Sequence, residues 1–138
     1  MNFYTLKDIK VGTSESFQVQ VTKEMHDSFT ASTGDINPMH IDKEWANDHG
    51  FNDVLVYGML TASFYSTLVG VYLPGKHCLF QECKVGFNHP VFIGDILTIT
   101  GTVTEINDVF GRVTVKATIR NQNNLKVSSA KLSIGILS

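Results

Sequence analysis

The chain divides by the period at which apolar residues recur. Phe17, Val19 and Val21 alternate with Gln18 and Gln20, the period of a half-buried strand. Thr22 is placed to cap a short helix over residues 23–32, with Met25, Phe29 and Ser32 on one face. A loop is expected from 33 to 41. Asp42 then caps a second short helix that carries Trp45 and Ala46 and stops at Gly50. Residues 57–72 differ from all of these. Met59, Leu60, Ala62, Phe64, Tyr65, Leu68, Val69 and Val71 spread round the whole helix, and no residue there is charged. A helix that is apolar all round is a buried one. It would be about 24 Å long at 1.5 Å per residue, too short to span a bilayer. Pro74-Gly75 ends it.

The carboxy-terminal half changes to period two. Strands are predicted over 78–88, 95–105, 112–120 and 125–137. In the second, Leu97, Ile99, Gly101 and Val103 share one face and Ile96, Thr98, Thr100 and Thr102 the other. Asn107-Asp108 and the 121–124 segment are the turns between strands. An antiparallel meander with one apolar face must bury that face, and the apolar helix is the element available. The expected architecture is α+β: a curved antiparallel sheet wrapped round one long buried helix, with short helices overhanging it.

Composition narrows the function. The 138 residues fit a single domain, 1–138, whose core needs no staples. With 43% hydrophobic and 17% charged residues the chain is of ordinary globular type. A net charge of −2 gives no electrostatic case for nucleic acid or an anionic membrane. Cys78 and Cys83 would face opposite sides of one strand and could not bridge, which reads as two buried thiols in a reducing cytosol. With no basic-then-apolar leader in residues 1–10, the expected location is cytoplasmic.

The chemistry concentrates in Gly34-Asp35-Ile36-Asn37-Pro38-Met39-His40-Ile41-Asp42. Pro38 restricts Asn37 to an extended backbone, and Gly34 permits a sharp entry. A stiff segment presenting a carboxylate and an imidazole together suits positioned acid–base catalysis. By residue type alone, Asp35 and Asn37 also suit turns that bond their own backbone, and His40 a packed histidine. A metal site on Asp35, His40 and Asp42 lacks further ligands, and a calcium loop is excluded by Pro38.

The segment from Ser32 to Asp42 resembles the hydratase motif of the MaoC-like, (R)-specific enoyl-CoA hydratases. The likeness continues through Tyr57-Gly58-Met59-Leu60-Thr61-Ala62-Ser63 and Pro90-Val91-Phe92-Ile93-Gly94-Asp95, in the family's order and spacing. It implies a hot-dog fold, a homodimer whose sheets join side by side, and no metal or organic cofactor. It implies that Asp35 and His40 activate the water that adds to a trans-2-enoyl thioester of coenzyme A or acyl carrier protein. The Gly58 N–H takes the oxyanion role, Asn37 supports the loop, and Tyr57, Ser66 and Val69 line the acyl pocket. Many similar hydratases carry His where this chain has Tyr57, which places a phenol at the expected pocket mouth. His26, His49, His77 and His89 read as packing or surface residues.

Two other functions fit the same fold. A hot-dog thioesterase of the common kind places a carboxylate on the central helix, and residues 57–72 contain no Asp or Glu. A non-catalytic acyl-thioester binder would have no use for Asp35, Asn37 and His40 together.

Overall fold

The computed structural model describes residues 1–138. Strand β1, Ser14–Gln20, alternates exposed and half-buried residues, as its period requires. Helix α1, Lys23–Thr33, starts where the Thr22 hydroxyl accepts a hydrogen bond from the Met25 N–H. Its inward face is Met25, His26, Phe29 and Thr30; Ser32, expected on that face, is exposed. The expected loop at 33–41 contains a helical turn, α2, Pro38–Ile41. Helix α3, Lys43–Asp48, follows at once, capped by Asp42, whose Oδ1 accepts from the Trp45 N–H at 3.0 Å.

The central helix α4, Gly58–Thr67, passes into a π-helical turn, Leu68–Tyr72, closed by the Leu73 N–H on the Leu68 carbonyl. Four further strands complete the chain: β2 Cys78–Phe87, β3 Ile96–Asn107, β4 Arg112–Arg120 and β5 Lys126–Ile136. All pair antiparallel in one sheet of order β1-β3-β4-β5-β2. Only β3, β4 and β5 form the expected meander. The connection 88–95 exceeds a hairpin loop of two to five residues; it carries the chain from β2 at one edge to the far side of the sheet. The sheet wraps the central helix, as a hot-dog fold requires.

The sheet's inner face is apolar and dry: Leu97, Ile99, Ile119, Leu132 and Ile134 are fully buried, with Tyr65 and Leu68 of the helical segment packed into the same cluster. Gly101 marks the closest approach. A Cβ there would lie 2.7 Å from Leu68 Cδ2 and 3.0 Å from Val115 Cγ1. The buried Tyr65 hydroxyl donates to Ser128 Oγ at 2.9 Å, so its polar end is satisfied inside the core.

The two cysteines correct the strict alternation expected of β2. A bulge between Phe80 and Glu82 inserts one residue, so Cys78 opposes Ile136 and Cys83 opposes Leu132, on the same face of β5. Both thiols remain free; Cys78 is half-buried, and Cys83, expected buried, is exposed. Their separation along the strand, about 16 Å at 3.3 Å per residue, prevents a bridge. No helix is long and apolar enough to cross a membrane.

Candidate active site

Local chain chemistry places Asp35 and His40. Gly34, at φ 71°, ends α1 in the left-handed region with its N–H on the Thr30 carbonyl. The chain turns there, and Asp35 Oδ1 accepts the Asn37 N–H at 3.1 Å. Asn37 in turn caps α2, its Oδ1 accepting the Met39 N–H at 3.0 Å, with Pro38 at the first helical position. The bland reading of Asp35 and Asn37 as turn residues is therefore realised, and it is what holds the segment in shape. The Asp35 carboxylate itself is on an exposed residue.

His40 is half-buried, and its tautomer is set by its partner. Nδ1 lies 2.7 Å from the Leu55 carbonyl oxygen, which can only accept, so Nδ1 carries the proton. In the neutral ring Nε2 is then left with its lone pair, the form a general base needs. The Leu55 N–H returns to the Met39 carbonyl at 3.0 Å, so both main-chain groups of one residue hold α2.

A cleft of about 450 Å³ opens beside this ring. Met39, His40, Phe51, Leu55, Gly58 and Thr61 line one side, and Phe87, His89, Pro90 and Val91 the other. Gly58 is the first residue of α4, so its N–H has no acceptor within the helix and stands at the positive end of the dipole. A side chain there would meet the Phe87 ring at 3.2 Å. One turn on, Thr61 is 2% exposed and its hydroxyl has no partner. The approach to α4 is held by the Val56 N–H on the Val91 carbonyl at 2.8 Å. Residues 90–95 are fixed in turn by Asp95, whose Oδ2 accepts the Phe92 N–H.

The structure thus brings His40 and Gly58 to one cleft and leaves the others elsewhere. Tyr57, expected at the pocket mouth, is 2% exposed and lies under the 34–40 segment, because its hydroxyl finds partners there and its ring a stack of aromatic neighbours. Ser66 and Val69 line a separate cavity with Cys78 and Phe80, further along the helix than the Gly58 cleft. His26, read as packing, is 3% exposed, and its Nε2 lies 2.9 Å from the His40 carbonyl oxygen. Thr30, which no sequence motif marks, belongs to the same layer: its Oγ1 is 2.7 Å from the Tyr57 hydroxyl. The signal was the spacing of His26 and Thr30, one helical turn apart beside Met25 and Phe29. His49 and His89 bond the Trp45 and Lys126 carbonyls. No group of three or more His, Cys, Asp or Glu is assembled to hold a metal ion.

Comparison with known families places this arrangement. Residues 7–124 match the MaoC like domain. The chain belongs to the MaoC-like family. Among its relatives, the (R)-specific enoyl-CoA hydratase of Rhodospirillum rubrum is 35% identical over 98 residues, covering 71% of this chain and 68% of that protein. The (R)-specific enoyl-CoA hydratase of Aeromonas caviae is 38% identical over 81 residues, 59% of this chain and 60% of that protein. In three dimensions the MaoC-like chain is similar to the A. caviae (R)-hydratase involved in PHA biosynthesis, with a TM-score of 0.89 at 28% identity over 94% of this chain and 98% of that one. An R-hydratase from Pseudomonas aeruginosa gives a TM-score of 0.90 at 25% identity, covering 97% and 86%.

Proposed function

We propose that this MaoC-like protein is a lyase that reversibly hydrates trans-2-enoyl thioesters to (R)-3-hydroxyacyl thioesters. The observation that carries the reading is the shared cleft: it is lined by His40, whose neutral ring keeps its lone pair on Nε2 when Nδ1–H bonds the Leu55 carbonyl, and by Gly58, whose N–H has no acceptor within its helix. The thioester oxygen sits at that N–H, where negative charge develops as water attacks C3. Asp35 and His40 hold the water; His40 takes its proton as the C3–O bond forms, and a proton is delivered to C2. The relatives' names support the substrate class: two are (R)-specific enoyl-CoA hydratases and a third, from Methylorubrum extorquens, is a 3-hydroxybutyryl-CoA dehydratase. Relatives named 3-hydroxyacyl-[acyl-carrier-protein] dehydratase keep acyl carrier protein as the alternative thioester carrier.

The working unit in this reading is a homodimer. Strand β2 closes one edge of the sheet with its outer backbone groups unpaired, and Leu79 and Phe87 on it are 48% and 53% exposed. Pairing β2 with its copy removes that edge.

The test is purified protein with crotonyl-CoA, following enoyl absorbance and free thiol together. Loss of absorbance without thiol release is expected. Thiol release without hydration would favour a thioesterase, although helix α4 supplies no carboxylate. Binding with neither change would leave a non-catalytic acyl-thioester binder.

A further inference from the structure

Beneath the 34–40 segment lies a layer that neither the acid–base pair nor the oxyanion site includes. Tyr57 is its centre. The Tyr57 hydroxyl donates to the Asp35 carbonyl oxygen at 2.6 Å. With its one proton placed there, it accepts at 2.7 Å from the Thr30 hydroxyl, whose single proton is shared with the His26 carbonyl oxygen at 3.1 Å. The Tyr57 ring stacks on the His40 imidazole, centroids 4.1 Å apart at 29°. It also packs on Phe29 and His26, each at 4.8 Å. His26 closes the circuit, its Nε2–H donating to the His40 carbonyl at 2.9 Å. One buried side chain therefore touches both halves of the acid–base pair: the backbone of Asp35 through its hydroxyl and the ring of His40 through its face.

We propose that Tyr57 is a positioning residue that locks Asp35 and His40 into one unit, with Thr30 orienting its hydroxyl and His26 anchoring the His40 main chain. The physical need is plain. Asp35 is exposed and α2 is a single turn, so neither group is fixed by regular structure of its own. An acid–base pair loses rate steeply when its geometry loosens, because the reacting atoms must be held in near-attack contact. The phenol supplies two anchors at once: a buried hydrogen bond to a carbonyl, and a flat surface that leaves the imidazole only its edge-on freedom. Tyr57 is the residue just before Gly58 at the start of α4, so the same turn that offers the oxyanion N–H also carries the floor of the pair.

This inference rests on the hydratase reading for its kinetic arm but not for its structural one. The experiment compares Tyr57→Phe, Thr30→Val, Thr30→Ser and the Tyr57→Phe/Thr30→Val pair by crotonyl-CoA kinetics and by amide hydrogen exchange. Tyr57→Phe keeps the stack and removes the hydroxyl bond. We expect its kcat to fall about tenfold, the usual size of losing one well-placed neutral hydrogen bond, with KM changed less than threefold. Thr30→Val does the same, Thr30→Ser stays near wild type, and the double variant falls little further than either single, since all act through one hydroxyl. The amides of Asn37, Met39 and His40 exchange faster in Tyr57→Phe while the sheet is unaltered. Unchanged exchange in those amides, or unchanged kcat despite faster exchange, overturns the proposal. Multiplicative losses in the double variant overturn it too. If wild-type protein fails to hydrate any enoyl thioester yet the amides respond as expected, the hydratase reading fails and the positioning of the segment by Tyr57 stands.

Discussion

Asp35 and His40 are fixed by different means, and their variants separate accordingly. His40 is held through its ring by the Leu55 carbonyl, whereas Asp35 is held by the turn it makes with the Asn37 N–H. Asp35→Asn can keep that turn bond while abolishing the charge. Both Asp35→Asn and His40→Ala should lower kcat by about 10² to 10⁴, the usual contribution of a general acid–base group. Circular dichroism should show each variant folded, and near wild-type turnover in either would remove that residue from the mechanism. Gly58→Val tests the opposite wall. Its Cβ meets the Phe87 ring at 3.2 Å, so the variant must displace either that ring or the substrate oxygen. A fall in kcat of about 10² to 10³ with a modest change in KM marks a lost oxyanion donor. A loss confined to KM would mean that the cleft is merely blocked.

Among the elements, what could be read from the chain was what a single period or cap determines. Leu97, Ile99, Gly101 and Val103 do share the inner face of β3, and Thr22 and Asp42 do cap α1 and α3. Apart from the helical turn at Pro38–Ile41 and the exposure of Ser32, the departures involve partners distant in sequence. The β2 bulge that puts Cys78 and Cys83 on one face appears only against β5. The resemblance to hydratases that carry His at this position implies a pocket-mouth place for Tyr57; its hydroxyl instead reaches Thr30 and Asp35. Ser66 and Val69 lie on the same side of a regular helix as Gly58, yet the cleft does not extend that far along it, and they border another cavity. The contact between the π-helical turn Leu68–Tyr72 and β3 offers a prediction at this scale. Gly101→Val must force its side chain against Leu68 and Val115, both fully buried and without room to move. Overpacking of that kind costs about 1 to 3 kcal/mol. A lower urea midpoint with unchanged slope is expected; an unchanged midpoint would show that the sheet and helix are not as closely packed there as described.

At the scale of the whole molecule the core leaves its mark on pH dependence. Burial pushes the Tyr65 phenol up to about 12, against the opposing effect of the Ser128 hydrogen bond. The folded state therefore keeps a proton that the unfolded chain, with an ordinary value of 10.0, gives up first. The stability this contributes is complete below pH 10 and is lost as pH rises through about 12. Unfolding free energy should decline over that window, and Tyr65→Phe should flatten the decline; an equal decline in the variant would contradict the assignment. Assembly belongs to this scale as well. Sedimentation equilibrium at micromolar concentration should give a dimer, since the β2 edge is otherwise unpaired. A clean monomer would contradict the side-by-side sheet arrangement.

In the proposed reaction water adds at C3, and tracing its oxygen tests that directly. Crotonyl-CoA incubated with the protein in oxygen-18 water should yield (R)-3-hydroxybutyryl-CoA labelled at the C3 hydroxyl, with the thioester intact. Label in a free carboxylate with the double bond retained would place the attack on the carbonyl carbon and contradict a hydratase built on Asp35, His40 and Gly58.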